Sequence, residues 1–262
     1  KRGGSLMDLS RGNLELRMKT YFDENLSWDS YKELGYGLTA VQAGFEPKTA
    51  RVRAQNVEKF SNERVLRYLL RPFDLRWCYY TTASTVWNRP RPNLFAQLWE
   101  DNEFFITRFS SQKRDDGTPF YWSKIICDDH CLSPDAVVFP LRLKTKLAQP
   151  DLFSIEPPVK ANLSESARQY LKKLAIIFPD SAETLEGGLK AYELIWYHAL
   201  AIGYSPEYRN ENADGIRGDW PRIPLPAGRE VLFQSAIIGK RIASLLDAEG
   251  IGPEELNQPD VQ

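Results

Sequence analysis

The spacing of apolar positions changes partway along the chain. Up to about residue 143 they come in short runs and alternations, and beyond about residue 160 they recur every three or four residues. Two amphipathic stretches between residues 13 and 35, LELRMKTYF and SWDSYKEL, predict short helices, with Ser27 as N-cap of the second. The alternation over residues 51–57 predicts a strand. The run Ser61–Leu70 predicts a helix with Val65, Leu66 and Leu69 on one face, ended by Pro72, because the residue before a proline leaves the helical region. Arg76–Tyr80 predicts a strand that puts Arg76, Cys78 and Tyr80 on one face and Trp77 and Tyr79 on the other.

Asn88–Pro92 contains Pro90 and Pro92, which remove backbone donors, so it predicts a stiff loop feeding a helix around Leu94–Glu100. Strands are expected at Phe104–Phe109, Phe120–Cys127 and Ala136–Leu143, the first two joined by a hairpin turn at Asp115–Gly117. Prolines between Gln149 and Pro158 mark a boundary. Helices are then expected at Ser164–Leu174, Gly188–Gly203, Glu207–Asn212 and Gly228–Gly250, the last with apolar Val231, Leu232, Ala236, Ile238, Ile242, Leu245 and Leu246. The fold class is α+β: a β-rich first half with a mixed or antiparallel sheet, and a helical second half. The expected parts are a helical lead-in over 1–47, a β-rich part over 48–150, and a helical part over 151–262 packing on it.

Composition supports a packed core: 42% of the 262 residues are hydrophobic and 26% charged. No apolar run approaches the length of a membrane helix, and no signal peptide is visible, so no membrane partner is expected. Three scattered cysteines, Cys78, Cys127 and Cys131, fit a reducing cytoplasm. The chain lacks Met at position 1, and the start KRGGSLMDLS reads as that of an excised fragment with tag residues up to Met7. A net charge of −1 argues against a free-standing nucleic-acid binder. The distribution is less neutral than the sum: from Lys48 to Arg114 there are thirteen Lys and Arg against six Asp and Glu, and the rest of the chain is acidic. One basic face on an acidic body is enough to meet phosphate.

Several chemistries lack their motifs. There is no GxxxxGK[ST] loop, no GxGxxG opening a helix, no Asn-Pro-Pro-aromatic tetrapeptide and no GxSxG elbow. With only His130 and His198, a Ser–His–Asp triad has few ways to form. Cys127, His130 and Cys131 lack the paired spacing of a zinc site, so they read as a strand end with a polar turn, and neither a metal nor a resident cofactor is expected. No catalytic centre is recognised in the chain.

The informative region is basic and aromatic. Arg71, Arg76, Arg89 and Arg91 supply planar guanidinium groups that grip phosphate or pair with guanine O6 and N7, and Asn88 suits adenine N6 and N7. Tyr79 and its aromatic neighbours could support the arginines or touch bases, or they could be core. A second candidate is the stretch after Phe104–Phe109, where Arg108, Gln112, Lys113 and Arg114 lie on a hairpin of a size to enter a major groove. Arg222, in the proline-braced WPRIPL, is a further phosphate candidate.

The ordered segments RPFDLRWCYY (Arg71–Tyr80), WNRPRP (Trp87–Pro92), FPLRL (Phe139–Leu143), SPEYR (Ser205–Arg209) and WPRIPL (Trp220–Leu225) resemble the C-terminal target-recognition region of type ISP restriction–modification proteins, over about residues 50–246. The resemblance implies a phage-defence module that reads double-stranded DNA, with 48–150 as the recognition part. A methyltransferase domain of the parent protein would N6-methylate adenine using S-adenosylmethionine. The shared motifs could be scaffold, with specificity carried by Arg108–Gly117 and Leu143–Ala161. The alternative is a protein-interaction module that binds an acidic DNA mimic, such as a phage-encoded inhibitor.

Overall fold

The computed structural model describes residues 2–83, 85–110, 117–133, 135–144, 159–247 and 249–250. The chain divides into two compact units. The first runs to Leu70 and from Asp74 to Phe95; the second takes Arg71–Phe73 and everything from Ala96 onward.

The first unit opens with α1 (Arg2–Ser5) and β1 (Met7–Asp8), followed by α2 (Arg11–Phe22) and α3 (Trp28–Glu33). The Ser10 hydroxyl caps α2 by accepting the Asn13 amide at 3.3 Å, and Ser27 caps α3 through the Ser30 amide at 3.1 Å. On α2, Leu14, Met18, Tyr21 and Phe22 are buried at helical spacing and pack with Tyr31, Leu38, Phe45 and Tyr79. Each such side chain removed from water contributes roughly 1.5–3 kcal/mol.

Two expectations fail here for identifiable reasons. Residues 51–57 lie in helix α4 (Pro47–Val57), not a strand. Pro47 occupies the first turn, Glu46 caps the Thr49 amide at 2.6 Å, and Ala50 and Ala54 bury one face. Positions i and i+4 satisfy an alternating pattern and a helical one alike; Val52, between them, is half-exposed. Conversely, Ser61 caps only a one-turn 3-10 helix at Asn62–Arg64, and the chain then extends as β2 (Val65–Arg71). Pro72 and Phe73 connect β2 to β3 (Asp74–Tyr79), and pairing with β3 overrides the local helical signal. The sheet order is β1–β3–β2, with Met7 opposite Cys78 and Asp8 opposite Trp77. Leu6 is buried, and Arg17 donates to the carbonyls of Ser5 and Met7, so Ser5–Met7, expected as the end of a tag, pack into the fold. The helix expected around Leu94–Glu100 is the single turn α5 (Pro92–Phe95).

In the second unit, β4 (Phe104–Arg108) lies between β5 (Phe120–Ser123) and β6 (Ala136–Pro140), antiparallel to both. The returning strand stops at Ser123, short of Cys127, where the Ser123 hydroxyl accepts the Ile125 amide and turns the chain. The run expected as one strand to Leu143 is split after Pro140. Its remainder, β7 (Arg142–Lys144), pairs with β8 (Val159–Ala161). Residues 115–116 of the expected turn and the boundary Gln149–Pro158 lie outside the described residues.

Helices α6 (Glu165–Lys173), α7 (Leu194–Tyr204), α8 (Pro206–Glu211), α9 (Ala213–Gly218) and α10 (Arg229–Leu246) complete the unit. The α+β arrangement is thus as the apolar spacing predicts. Helices α7 and α10 pack together and against β5, with the Trp122 ring stacked on Tyr197 at 4.6 Å. On α10 the buried seam is Leu232, Ala236, Gly239, Ala243 and Leu246; Val231, Ile238 and Leu245 face outward. A Cβ on Gly239 would lie 2.9 Å from the Tyr197 Cα and closer still to the Tyr197 carbonyl, so only glycine permits this crossing. No helix among the described residues is long and apolar enough to cross a membrane.

His198 ties α7 into this packing. Its Nδ1 meets the Ser235 hydroxyl at 2.6 Å and its Nε2 meets the Pro224 carbonyl at 2.9 Å. Pro224 offers only an acceptor, so Nε2 carries a proton. Burial lowers the His198 pKa below its usual 6.5. The unfolded chain therefore binds a proton at a pH where the folded chain does not. This stability is fully present above about pH 6.5 and is lost as the pH falls through the folded pKa, by at most about 1.4 kcal/mol per pH unit. Urea melts between pH 7.5 and 5 are expected to show this loss in the wild type and a flatter profile in His198→Gln. Burial raises the carboxyl pKa of Glu103 and Glu193, an effect of opposite sign that the variant shares. Parallel profiles for the two proteins would remove His198 as the cause.

Candidate nucleic-acid interface

The basic–aromatic candidates are distributed over both units. In the first, the loop at Asn88–Pro92 is held by the rings around it. Trp87 donates its indole N–H to the Tyr79 carbonyl at 2.7 Å and meets Tyr80 and Tyr68 edge-on at 5.5 and 5.8 Å. The Tyr80 ring lies parallel to Phe95, with centroids 3.5 Å apart, just past the loop. From this frame Asn88, Arg89 and Pro90 project into solvent, while Arg91 is half-buried. Arg89 adopts a φ of +59°, a left-handed conformation that a residue without structural need seldom takes.

Arg76 is only about a third exposed and makes a bidentate pair with Asp74, both bonds 2.9 Å. Asp74 raises its pKa, so the guanidinium stays charged, but half of its fork is committed. Tyr79 is fully buried. Its ring stacks on Phe60 at 5.6 Å, its hydroxyl accepts the Ser61 amide at 3.3 Å, and burial pushes its pKa up to about 12. It is a core side chain, so the expected base contact is corrected to a supporting role. Cys78, Tyr79 and Tyr80 are all buried, so both faces are covered at this end of the strand.

Sequence reasoning missed a neighbouring feature. Two guanidinium groups lie over the Trp77 ring, Arg11 at 5.0 Å and Arg67 at 4.9 Å from its centroid. Such contacts hold long cationic side chains in place at low entropic cost. Arg11 comes from α2 and Arg67 from β2, so only the register that sets Asp8 opposite Trp77 brings this cluster together.

In the second unit Arg71 is about half exposed and reaches Asp128 at 3.5 Å. Arg108 is 2% exposed and donates to the Ser133 and Gly117 carbonyls at 3.2 and 3.1 Å. It braces the end of β4, so an expected surface contact is again corrected to a structural one. Gln112, Lys113 and Arg114 lie outside the described residues. Arg222 is 88% exposed and sits 3.2 Å from Asp219. Near it, Trp220 meets Phe109 edge-on at 5.4 Å, and both rings are substantially exposed.

The turn after β5 gathers Asp128, Asp129 and His130, whose ligand atoms lie within 4.8 Å of one another. Asp128 accepts the His130 amide at 2.9 Å, and His130 meets Asp129 at 2.9 Å, so the turn is organised by its own hydrogen bonds. Cys127 and Cys131, on either side of the turn in sequence, are buried and make no disulfide. A cavity of about 310 Å³ lined by Glu100, Asp101, Glu103, Lys124, Lys190 and Glu193 carries more carboxylates than ammonium groups. Tyr197 donates to Glu103 at 3.0 Å and Lys124 pairs with Asp247 at 2.6 Å; this charge balance does not suit phosphate.

A family model described as the type ISP C-terminal specificity domain matches residues 2–250. By sequence, no curated protein matches the chain. Its fold is similar to that of three solved structures. The first is the ATP-dependent type ISP restriction–modification enzyme LlaBIII bound to DNA, with a TM-score of 0.63 and 17% identity over 96% of this chain and 15% of that one. The second is a DrdV–DNA complex, with a TM-score of 0.60 and 17% identity over 96% and 23%. The third is a nuclease-deletion mutant of the type ISP enzyme LlaGI with a DNA substrate mimic, with a TM-score of 0.56 and 16% identity over 96% and 21%. The chain thus spans between about a seventh and a quarter of the length of these proteins.

Proposed function

Because the chain belongs to the type ISP C-terminal specificity domain family, we propose that it reads the target sequence in duplex DNA for a restriction–modification enzyme. The observation that carries this reading is the loop at Asn88–Arg91. It is clamped by Trp87, braced by Pro90 and Pro92, and displays an amide and a guanidinium to solvent. A display fixed before binding loses little entropy on docking. Arg67 and Arg11 over Trp77, and Arg222 paired with Asp219, add further restrained positive groups. Three similar folds come from proteins solved with DNA or a DNA mimic, which supports the reading.

The module supplies the choice of site. Adenine methylation with S-adenosylmethionine, and restriction of unmethylated DNA, belong in this proposal to other domains of the parent protein. Arg71, Arg76, Asn88, Arg89, Arg91 and Arg222 are the contacts to test, with residues 48–150 as the main recognition part.

The test uses the full-length parent protein, its target mapped from methylated sites in cells that carry it. Arg89→Ala and Arg91→Ala are each expected to weaken target binding by about tenfold or more. A lost phosphate contact also lowers the slope of log affinity against log salt by about one; a lost base contact relaxes preference at one position. Arg89→Gly separates folding from binding, since glycine takes a φ of +59° without strain. This variant should melt no earlier than the wild type and still bind weakly. Equal affinity for all duplexes at every salt concentration would defeat the proposal.

A further inference from the structure

We propose that Phe109 and Trp220 form an apolar corner that reads a thymine through its 5-methyl group, an inference that rests on the duplex-reading function above. Phe109 is 50% exposed and Trp220 39% exposed, and their rings meet at 5.4 Å and 75°. The two residues come from distant segments, the end of β4 and the proline-rich stretch before α10. Behind them a row of rings runs into the core: Trp220 meets Phe139 at 6.4 Å, Phe139 meets Trp196 at 6.0 Å, and Trp196 meets Phe105 at 5.3 Å. Phe105 and Phe139 are opposed across β4 and β6, and Phe109 is the first residue past the end of β4. The outer pair is thereby fixed in orientation while much of its apolar surface still faces water, so burial by a partner remains available to it.

The surroundings favour a polyanion as that partner. Arg222 stands two residues after Trp220 with 88% of its side chain exposed, and Asp219 restrains it while accepting the Trp220 amide at 2.8 Å. Rings at this spacing and angle leave no slot for a base to slide between them. An edge-to-face corner instead suits a small apolar projection, and on the major-groove edge of a base pair that projection is the thymine methyl.

The test uses the full-length parent protein and duplexes of its mapped target in which each thymine in turn is replaced by deoxyuridine. The wild type is expected to lose about fourfold in affinity at one thymine, the worth of one buried methyl. Phe109→Ala is expected to lose on the order of tenfold on the intact target. It should be indifferent to that deoxyuridine and keep the wild-type affinity and salt slope on non-target duplex, since it carries no charge. Trp220→Leu, run in parallel, should show the same indifference, and thermal melts of both variants check that the fold survives. Wild-type affinity for the target in both variants, or an undiminished deoxyuridine penalty in Phe109→Ala, overturns the contact alone. A wild-type protein with no preference among duplexes overturns the duplex-reading function and this contact together.

Discussion

Replacing Gly239 with alanine is expected to destabilise the second unit by about 4 kcal/mol or more, the range of the most damaging single substitutions. The reason is backbone against backbone. A side chain can rotate away from an added methyl, but the Tyr197 carbonyl and Cα are fixed by the hydrogen bonds of α7. The methyl fits only if α7 and α10 separate. That would loosen the His198–Ser235 bond, which spans this packing. Gly215→Ala in α9 is the control, because nothing lies within 4 Å of the added atom. It is expected to leave stability unchanged or raise it by up to about 1 kcal/mol through helix propensity. Urea denaturation of the two variants checks the contrast. A Gly239→Ala protein within about 1 kcal/mol of the wild type would show that the helix pair yields far more easily than close-packed interiors do.

The second large effect is expected at Arg51, one of the thirteen cations that make the segment from Lys48 to Arg114 basic. It is 5% exposed, and its guanidinium lies 5.0 Å over the Tyr31 ring. It donates to the carbonyls of Tyr21 at 2.8 Å, Asp23 at 2.7 Å and Leu26 at 3.0 Å. These carbonyls lie in the last turn of α2 and just beyond it, where the helix dipole is negative and the helix itself supplies no donors. Desolvation lowers the Arg51 pKa without removing its charge at neutral pH. Arg51→Met should cost about 3 kcal/mol, because it removes three charge-assisted hydrogen bonds at once, and Gln55 reaches only the Tyr21 and Asp23 carbonyls. Arg51→Lys should recover only part of this, since one ammonium cannot span three acceptors so far apart. Both variants should keep the wild-type salt slope of DNA binding at a temperature where they are folded. A slope reduced by one would mean that Arg51 reaches phosphate after all.

Arg51 also shows where the sequence was legible. Serine caps, proline breaks and the change from short runs to helical spacing gave the α+β class and most element positions, because those signals act within a few residues. They misassigned α4 and β2. Ala50 and Ala54 satisfy two periodicities at once, and Val65–Arg71 extends because β3 offers partners that no local window contains. The same limit applies to the interface. Sequence singled out the loop at Asn88–Arg91 from proline stiffness, a local property. It could not tell Arg108 and Arg51, with carbonyl partners inside the fold, from Arg89 and Arg222, which face water. Nor could it place Arg11 beside Trp77 or Phe109 beside Trp220, since both pairs form only through tertiary packing.

The single bond from the Trp87 indole to the Tyr79 carbonyl separates what holds the loop from what the loop shows. The anchor is a ring and a main-chain oxygen, neither of which depends on the identity of residues 88 and 89. Evolution, or a protein engineer, is therefore free to exchange residue 88, and residue 89 among side chains that tolerate its left-handed backbone, while the mount stays in place. New site preferences could arise in small steps, each starting from a protein that already folds.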